Sequence, residues 1–259
     1  MDCQPSAFHK VYIWSNSDHL CLLCDTAAHQ PYPLCEACER ELPWLDERCE
    51  ICALPLAMTG LECGPCRRKA PAFARVEAPW YYGFPIDTLI TRFKHSAQWP
   101  LGRMLAEGLA RWLQQAYADG LPRPHRLLPV PMARERLRKR GFNQAQMLAR
   151  WLAPLVQIRC DDSLLLRPQA TRAQQELDAE ARKHNLRSAF TLADKALVRG
   201  LHVALVDDVM TTGATAQALA LLLRRAGAVR VDVYCLARTP RPSERPQDEP
   251  SSGGTQAGA

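Results

Sequence analysis

The chain has 259 residues, a formal net charge of +6 and 47% hydrophobic residues. This length suits one α/β domain with a small additional module, and the modest positive charge permits a phosphorylated or nucleic-acid partner without demanding one. The sequence contains no apolar run long enough for a transmembrane helix, and its first twenty residues carry Asp2, Lys10 and Asp18 without an apolar core. We therefore expect neither a membrane span nor a secretory signal, and a cytoplasmic protein.

Cysteine spacing is the first specific pattern. Beyond a short N-terminal extension (residues 1–17), eight of the eleven cysteines form four C-x-x-C pairs, each separated from the next by ten residues: Cys21/Cys24, Cys35/Cys38, Cys49/Cys52 and Cys63/Cys66. One C-x-x-C turn places two thiolates on one side, and two turns complete a tetrahedral four-cysteine zinc site. The spacing predicts two zinc ions in a module at residues 18–70. Each ion is bound either by two consecutive C-x-x-C pairs or by two interleaved ones.

Other uses of these cysteines fit less well. A disulfide framework is disfavoured because no signal peptide is expected and three cysteines lie outside the pairs (Cys3, Cys160 and Cys235). A redox role is disfavoured because four copies in series suit metal ligation better. With four sulfurs around each zinc no position is open to water, so we expect structural sites. Prolines and glycines between the pairs predict ribbon-like hairpins with little helix.

After Pro71 the composition becomes that of an α/β domain, which we place at residues 71–238. Val76–Phe84 is aromatic and β-prone, Ile86–Ser96 leads toward a helix, and Leu101–Tyr117 has the apolar spacing of an amphipathic helix. Lys94 lies in the connection between these elements. It is either an ordinary surface lysine or a ligand-binding one.

A basic loop follows a short predicted strand at Leu127–Pro131. Five cations fall within seven residues and are followed at once by Gly141: Arg134, Arg136, Arg138, Lys139 and Arg140. Cations together with a glycine that lets backbone donors face a ligand suit a diphosphate. A solvated loop or a nucleic-acid contact is the alternative. We predict a helix over Phe142–Ala153, ended by Pro154.

The stretch Leu201–Ala216 carries the most specific chemistry of the chain. An apolar run, Val203–Val206, ends at two adjacent carboxylates, Asp207 and Asp208. A turn of small and hydroxyl-bearing residues then leads into a helical pattern: Thr211, Thr212, Gly213, Ala214 and Thr215. Such a run predicts a buried parallel strand, and ligands bind outside the carboxyl ends of these strands. The turn and the helix N-terminus suit a phosphate, and the carboxylates can accept hydrogen bonds from sugar hydroxyls.

The alternative for this stretch is an ordinary strand, turn and helix capped by threonine. It is less favourable because two aspartates at a buried strand are costly unless they are solvated or bound. The stretch is not a P-loop, since it lacks Gly-Lys-Ser/Thr. Val229–Ala237 predicts a last strand, and we expect a disordered tail at residues 239–259, where Pro, Ser and Gly dominate.

Together these motifs resemble the ComF/GntX-like family, bacterial proteins in which a zinc ribbon precedes a type I phosphoribosyltransferase domain. The resemblance covers about Leu20–Arg238. It is carried by the C-x-x-C pairs, PVP…RGFNQA, VDDVMTTGAT and two further motifs, T-x-x-Q at Thr171 and Gln174 and R-x-x-N at Arg182 and Asn185. It implies a parallel sheet flanked by helices, and a flexible flap for which Arg167–Ala189 is the candidate. An exposed surface helix is the alternative for that segment.

The resemblance also implies that the site binds phosphoribosyl diphosphate (PRPP) with Mg²⁺. The 5-phosphate would lie on Thr211–Thr215, and the ribose hydroxyls would contact Asp207 and Asp208. These two aspartates are also the candidate catalytic residues. The diphosphate would contact Arg138, Lys139, Arg140, Gly141 and Lys94. We expect transfer of the phosphoribosyl group to a nitrogen acceptor with release of diphosphate, in a protein linked to DNA uptake. No stretch identifies the acceptor or a general base.

A second hypothesis follows from that gap. In it the protein handles single-stranded DNA without catalysis, through the zinc ribbons, Arg67–Lys69 and the basic loop, with Trp80, Tyr81 and Tyr82 as stacking surfaces. A third hypothesis is a regulatory protein that senses PRPP.

Overall fold

The computed structural model describes residues 19–30, 32–168, 189–193 and 198–240. Two short ribbons come first, and each contains one five-residue helix. In the first ribbon strands β1 His19–Leu20 and β2 Ala27–Ala28 pair antiparallel and precede helix α1 Glu36–Arg40. The second ribbon contains helix α2 Gly64–Arg68. The prediction of ribbons with little helix agrees with these elements.

A parallel sheet forms the centre of the molecule. Its strands are β3 Arg75–Glu77, β4 Trp80–Tyr81, β5 Arg126–Pro129, β6 Arg159–Cys160, β9 His202–Met210 and β10 Arg230–Arg238. The order is β3–β10–β9–β5–β6, β4 pairs with β10 beyond the end of β3, and every pairing is parallel. A separate antiparallel pair joins β7 (Leu165–Leu166) to β8 (Thr191–Leu192).

Helices cover both faces of the sheet. They are α3 Ile86–Ser96, α4 Trp99–Ala118, α5 Arg134–Arg140, α6 Gln144–Val156 and α7 Ala214–Arg225. Successive residues of a strand point to opposite faces, and β9 shows this directly. Ala204 and Val206 pack with α3, α4 and α6, whereas Val203 and Leu205 pack with α7.

The two ribbons lie against different faces. Cys21 and Leu34 of the first ribbon join the core formed with α3, α4 and α6. Cys49 and Cys52 of the second ribbon join the core formed with α7. The segment between the ribbons runs along the sheet edge, where Leu45 N donates to the Pro79 carbonyl over 2.8 Å. The cysteine-rich module is therefore packed onto the sheet.

Four local predictions were wrong in position or type. Strand β9 continues through the aspartates to Met210, because β10 keeps pairing beside it. The basic loop is mostly the helix α5, since Arg, Lys and Leu are good helix formers. Lys94 lies inside α3. Pro154 lies within α6 and does not end it, because a proline in the last turn removes only one hydrogen bond while Val156 beyond it is buried.

Candidate functional site

The eight paired cysteines form two clusters, each made by consecutive pairs: Cys21, Cys24, Cys35 and Cys38 in one, Cys49, Cys52, Cys63 and Cys66 in the other. Within each cluster the sulfurs lie within 4.8 Å of one another. The Cys24–Cys35 and Cys52–Cys63 sulfur distances are both 3.6 Å. Four sulfurs about 2.3 Å from a tetrahedral zinc are about 3.8 Å apart. The donor sets therefore fit zinc, and none of the described cysteines is in a disulfide.

Both clusters repeat one local design. Cys35 is the N-cap of α1 and Cys63 is the N-cap of α2, so the second pair of each cluster lies at the start of a short helix. The clusters differ in burial. All four cysteines of the second cluster are buried, whereas Cys24 of the first is exposed. We therefore expect the second cluster to hold zinc longer against a chelator.

The two aspartates lie near the carboxyl end of the central strand β9. Asp207 Oδ1 accepts from the Asp208 N–H over 2.9 Å, and Asp208 Oδ1 accepts from the Val209 N–H over 2.7 Å. Burial, with the adjacent Asp208 carboxylate, raises the pKa of Asp207 to about 8. Because neighbours on a strand alternate, the two side chains serve opposite faces of the sheet.

Lys94 reaches Asp208 from α3. Its Nζ lies 2.8 Å from Asp208 Oδ2, and the two side chains are 18% and 7% exposed. The contact is an ion pair without hydrogen-bond geometry, and among the described residues Oδ2 has no hydrogen-bond partner. Lys94 is thus not a free surface lysine in this structure.

The loop after β9 forms a small cradle. Thr211–Thr215, with Asp207 and Val130, enclose a cavity of about 60 Å³. Gly213 precedes α7 with φ +76°, and a Cβ there would lie 2.6 Å from Met210 Cε. Thr212 Oγ1 accepts from the Ala214 N–H over 3.3 Å. The free N–H groups at the start of α7 and the positive end of its dipole suit an anion of phosphate size.

The basic helix α5 starts and ends at the same edge of the sheet. Val130, directly after β5, lines the cradle, and its carbonyl accepts from Asn143 Nδ2 over 3.1 Å. The segment between them therefore leaves the end of β5 and returns to it. Its cations are exposed apart from Arg140, which donates to Gln144 Oε1 over 2.6 Å. Gly141 ends the helix with φ +86°.

Two residues that contact the site were not singled out from the sequence. Asn143 caps α6 by accepting from the Ala145 N–H and also holds Val130. Arg238 lies at the end of β10 beside the cradle loop. An arginine directly after the apolar run Val233–Ala237 was the available signal. Thr171, Gln174, Arg182 and Asn185, and the flap between Arg167 and Ala189 except for its ends, fall outside the described residues.

One proposed aromatic surface is wrong. Trp80 is buried between Trp44, whose ring centre lies 5.7 Å away, and Gly108 on α4, so it cannot stack on a base. Tyr81 and Tyr82 are half-buried. The exposed aromatic side chain nearby is Phe84, at 81%.

Comparison with known proteins supports this architecture. The double zinc ribbon domain family matches residues 18–67, and the phosphoribosyl transferase domain family matches residues 155–256. DNA utilization protein YhgH of Salmonella typhi is 36% identical over 222 residues, which are 85% of this chain and 97% of that protein. Competence protein F of Haemophilus influenzae is 33% identical over 207 residues, which are 79% of this chain and 90% of that protein.

Among solved structures, glutamine phosphoribosylpyrophosphate amidotransferase from B. subtilis, in complex with ADP and GMP, is 21% identical with a TM-score of 0.37. The similarity covers 52% of this chain and 25% of that one. Within the described ranges, no helix is both long and apolar enough to cross a bilayer. On the extent of its identity to these relatives, the chain belongs to the ComF/GntX-like family, whose members join a double zinc ribbon to a phosphoribosyltransferase domain.

Proposed function

We propose that this protein binds Mg²⁺–PRPP at the cradle and transfers its phosphoribosyl group to a nitrogen acceptor, with release of diphosphate. The observation that carries this proposal is the cradle of Thr211–Thr215 at the carboxyl end of the central parallel strand, beside two carboxylates. A ribose phosphate matches both parts, since its phosphate suits the helix N-terminus and its hydroxyls suit the carboxylates.

Each part of PRPP has a proposed partner. The 5-phosphate lies on Thr211–Thr215, and Asp207 and Asp208 accept from the ribose hydroxyls. The diphosphate meets Arg138–Gly141, a segment that returns to the cradle edge through Asn143. Lys94 is the further diphosphate ligand, and its ion pair with Asp208 keeps its charge at the site before ligand binds.

Magnesium fits this site because hard cations take carboxylate oxygens together with phosphate oxygens, and when bound it supplies charge neutralisation to the diphosphate. Asp207 and Asp208 are the residues that would hold the ion with the sugar. The protein's own contribution is positioning and electrostatic stabilisation. The cations of α5 stabilise the departing diphosphate, and the aspartates hold the ribose while C1 gains positive charge and a nitrogen attacks it.

Release of diphosphate tests the reaction. Purified zinc-loaded protein is incubated with Mg²⁺–PRPP and a panel of bases, amines and single-stranded DNA. Acceptor-dependent release supports transfer, whereas binding without release identifies a PRPP sensor. Asp207→Asn with Asp208→Asn should abolish Mg²⁺–PRPP binding in calorimetry. Asp119→Asn, at the far end of α4, is the matched control, and unchanged affinity in the double variant would refute the site.

Handling of single-stranded DNA is the second candidate function. The exposed cations of α5 favour it, and the names of the relatives, DNA utilization protein and competence protein F, point the same way. If α5 carries the contact, affinity for a single strand falls steeply with salt, and replacing Arg134, Arg136 and Arg138 by Gln flattens the slope. Weak binding that does not depend on salt would remove this function.

Because zinc ligation needs reduced thiolates, we place the protein in the cytoplasm.

A further inference from the structure

Arg238 connects the second ribbon to the cradle loop. It is only 6% exposed and ends strand β10. Its Nε donates to the Cys52 carbonyl over 3.0 Å, and its Nη1 donates to the carbonyls of Met210 over 3.0 Å, Thr211, and Thr239 over 2.8 Å. One side chain therefore joins a ligand residue of the second zinc cluster to the loop that forms the cradle.

The described partners of this guanidinium are all backbone carbonyls. A buried arginine stays charged, and burial is tolerated only when its donors are satisfied. Hydrogen bonds from a charged group are stronger than those between neutral groups. Displacing either the ribbon or the loop would therefore leave a buried cation short of acceptors, and the geometry of one side constrains the other.

The contact also orients the loop toward an anion. In a trans peptide the C=O and the N–H point in opposite directions. Because the Met210 and Thr211 carbonyls turn toward Arg238, the N–H groups of Thr211 and Thr212 face away from it. Thr239 holds the Met210 carbonyl from the same side through its own N–H, over 3.1 Å. Arg238 thus fixes the peptide orientation that the cradle needs.

A second hydrogen bond on this side, from the Ala72 N–H just after the ribbon to Gln217 Oε1 over 2.8 Å, reaches α7 and not the loop. A groove of about 800 Å³ separates Cys63, Pro65 and Lys69 on the ribbon side from Thr211 and Gly213 on the loop side, and Arg238 lies along it. Arg238 crosses this groove to the carbonyl of Cys52, which is the second cysteine of the Cys49–Cys52 pair.

We propose that Arg238 is a positioning residue through which zinc in the second cluster and an anion on Thr211–Thr215 strengthen each other's binding. The proposal rests on the proposed function, because PRPP is the anion expected there. Coupling between two sites is reciprocal. Zinc should therefore raise the affinity for Mg²⁺–PRPP, and Mg²⁺–PRPP should raise the affinity for zinc by the same factor.

The test uses the full-length, zinc-loaded protein. Zinc release to a chromogenic chelator is followed with and without saturating Mg²⁺–PRPP, and the slow phase is assigned to the buried second cluster. In the unmodified protein we expect Mg²⁺–PRPP to slow this phase by about tenfold. In Arg238→Met the phase should be faster and insensitive to Mg²⁺–PRPP, and the affinity for Mg²⁺–PRPP in calorimetry should fall by at least about tenfold.

Two further variants separate coupling from general damage. Arg224→Met removes another arginine that donates to backbone carbonyls, those of Ala228 and Val229, away from both sites. It should leave zinc release and ligand affinity unchanged. Arg238→Lys keeps the charge but offers fewer directed donors, so it should restore part of the effect of Mg²⁺–PRPP on zinc release.

The outcomes are distinguishable. If the unmodified protein binds Mg²⁺–PRPP but its zinc release does not respond, or if Arg224→Met behaves like Arg238→Met, the coupling is refuted. If no Mg²⁺–PRPP binds, the proposed function fails, and hydrogen exchange at residues 209–216 decides the coupling. Exchange that rises when the slow-phase zinc is removed, and in Arg238→Met, supports it, whereas unchanged exchange overturns it.

Discussion

The ion pair between Lys94 and Asp208 gives the sharpest test of the site's architecture. Lys94→Met removes the charge and keeps most of the side-chain stem, which leaves Asp208 buried without its cation. Removing one partner of a buried ion pair costs about 3–5 kcal/mol. Because Lys94 is 18% exposed and Asp208 7%, solvent screens part of that cost. We expect the free energy of unfolding to fall by about 2–3 kcal/mol.

Denaturant unfolding measures this loss, and a double-mutant cycle with Asp208→Asn separates the pair from its surroundings. Asp208→Asn should lower stability by itself, but adding Lys94→Met to it should cost much less than 2 kcal/mol. Lys69→Met removes an exposed lysine and should change stability by less than about 0.5 kcal/mol. A change this small for Lys94→Met, or strict additivity in the cycle, would refute the buried ion pair.

The remaining predictions concern the metal, the cradle, the aspartate and the core. Metal analysis should find about two zinc ions per chain, and metal-free protein with a shifted band on a non-reducing gel would contradict it. Gly213→Ala should weaken Mg²⁺–PRPP binding in calorimetry by about tenfold at unchanged circular dichroism, since a left-handed residue costs about 1–2 kcal/mol. The pKa of Asp207 is raised to about 8 in the folded protein, so between about pH 4 and pH 8 this group is protonated when folded and ionised when unfolded. The free energy of unfolding should therefore fall more steeply over that range than in Asp207→Asn, and equal slopes would count against the raised pKa. Gly108→Ala places a Cβ 2.5 Å from the Trp80 ring and should lower the free energy of unfolding by about 1–3 kcal/mol. Gly83→Ala, where the new Cβ makes only ordinary contacts, should leave it unchanged.

Local chemistry could be predicted from the sequence because it depends on near neighbours. The zinc-ligand cysteines, the strand Val203–Val206 and the turn after it follow from residue type and spacing. Pairing of the C-x-x-C units could not be predicted, since every interval between them is ten residues long. Packing decides it, because the first two pairs lie on one face of the sheet and the last two on the other.

Contacts between distant residues were beyond the sequence. Lys94 was recognised as a candidate, but its partner Asp208 is on another element and no periodicity links the two. Arg238 and Cys52 are 186 residues apart. At the basic segment the density of charge suggested a loop, which was wrong. Because the cations of α5 are exposed to solvent, they repel one another only weakly. The helix propensity of these residues therefore determines the secondary structure of the segment.

Glu77 shows how the ribbon is attached elsewhere. Its buried carboxylate accepts from Arg48 over 2.9 Å, from Arg75 over 2.6 Å and from Trp112 Nε1 over 2.9 Å. The three partners come from the ribbon module, strand β3 and helix α4. A single acid therefore joins three parts of the chain, which sequence spacing gives no means of anticipating.

The position of β10 has a consequence for how the protein is made. Strands β3 and β4 are synthesised early, yet their described strand partner is β10, with Arg75 opposite Asp232 and Trp80 opposite Ala237. A nascent chain can close its zinc ribbons soon after they emerge, but its first sheet strands must wait for the last. Such long-range pairing folds slowly, and until translation reaches β10 the unpaired strands are exposed to association with other chains.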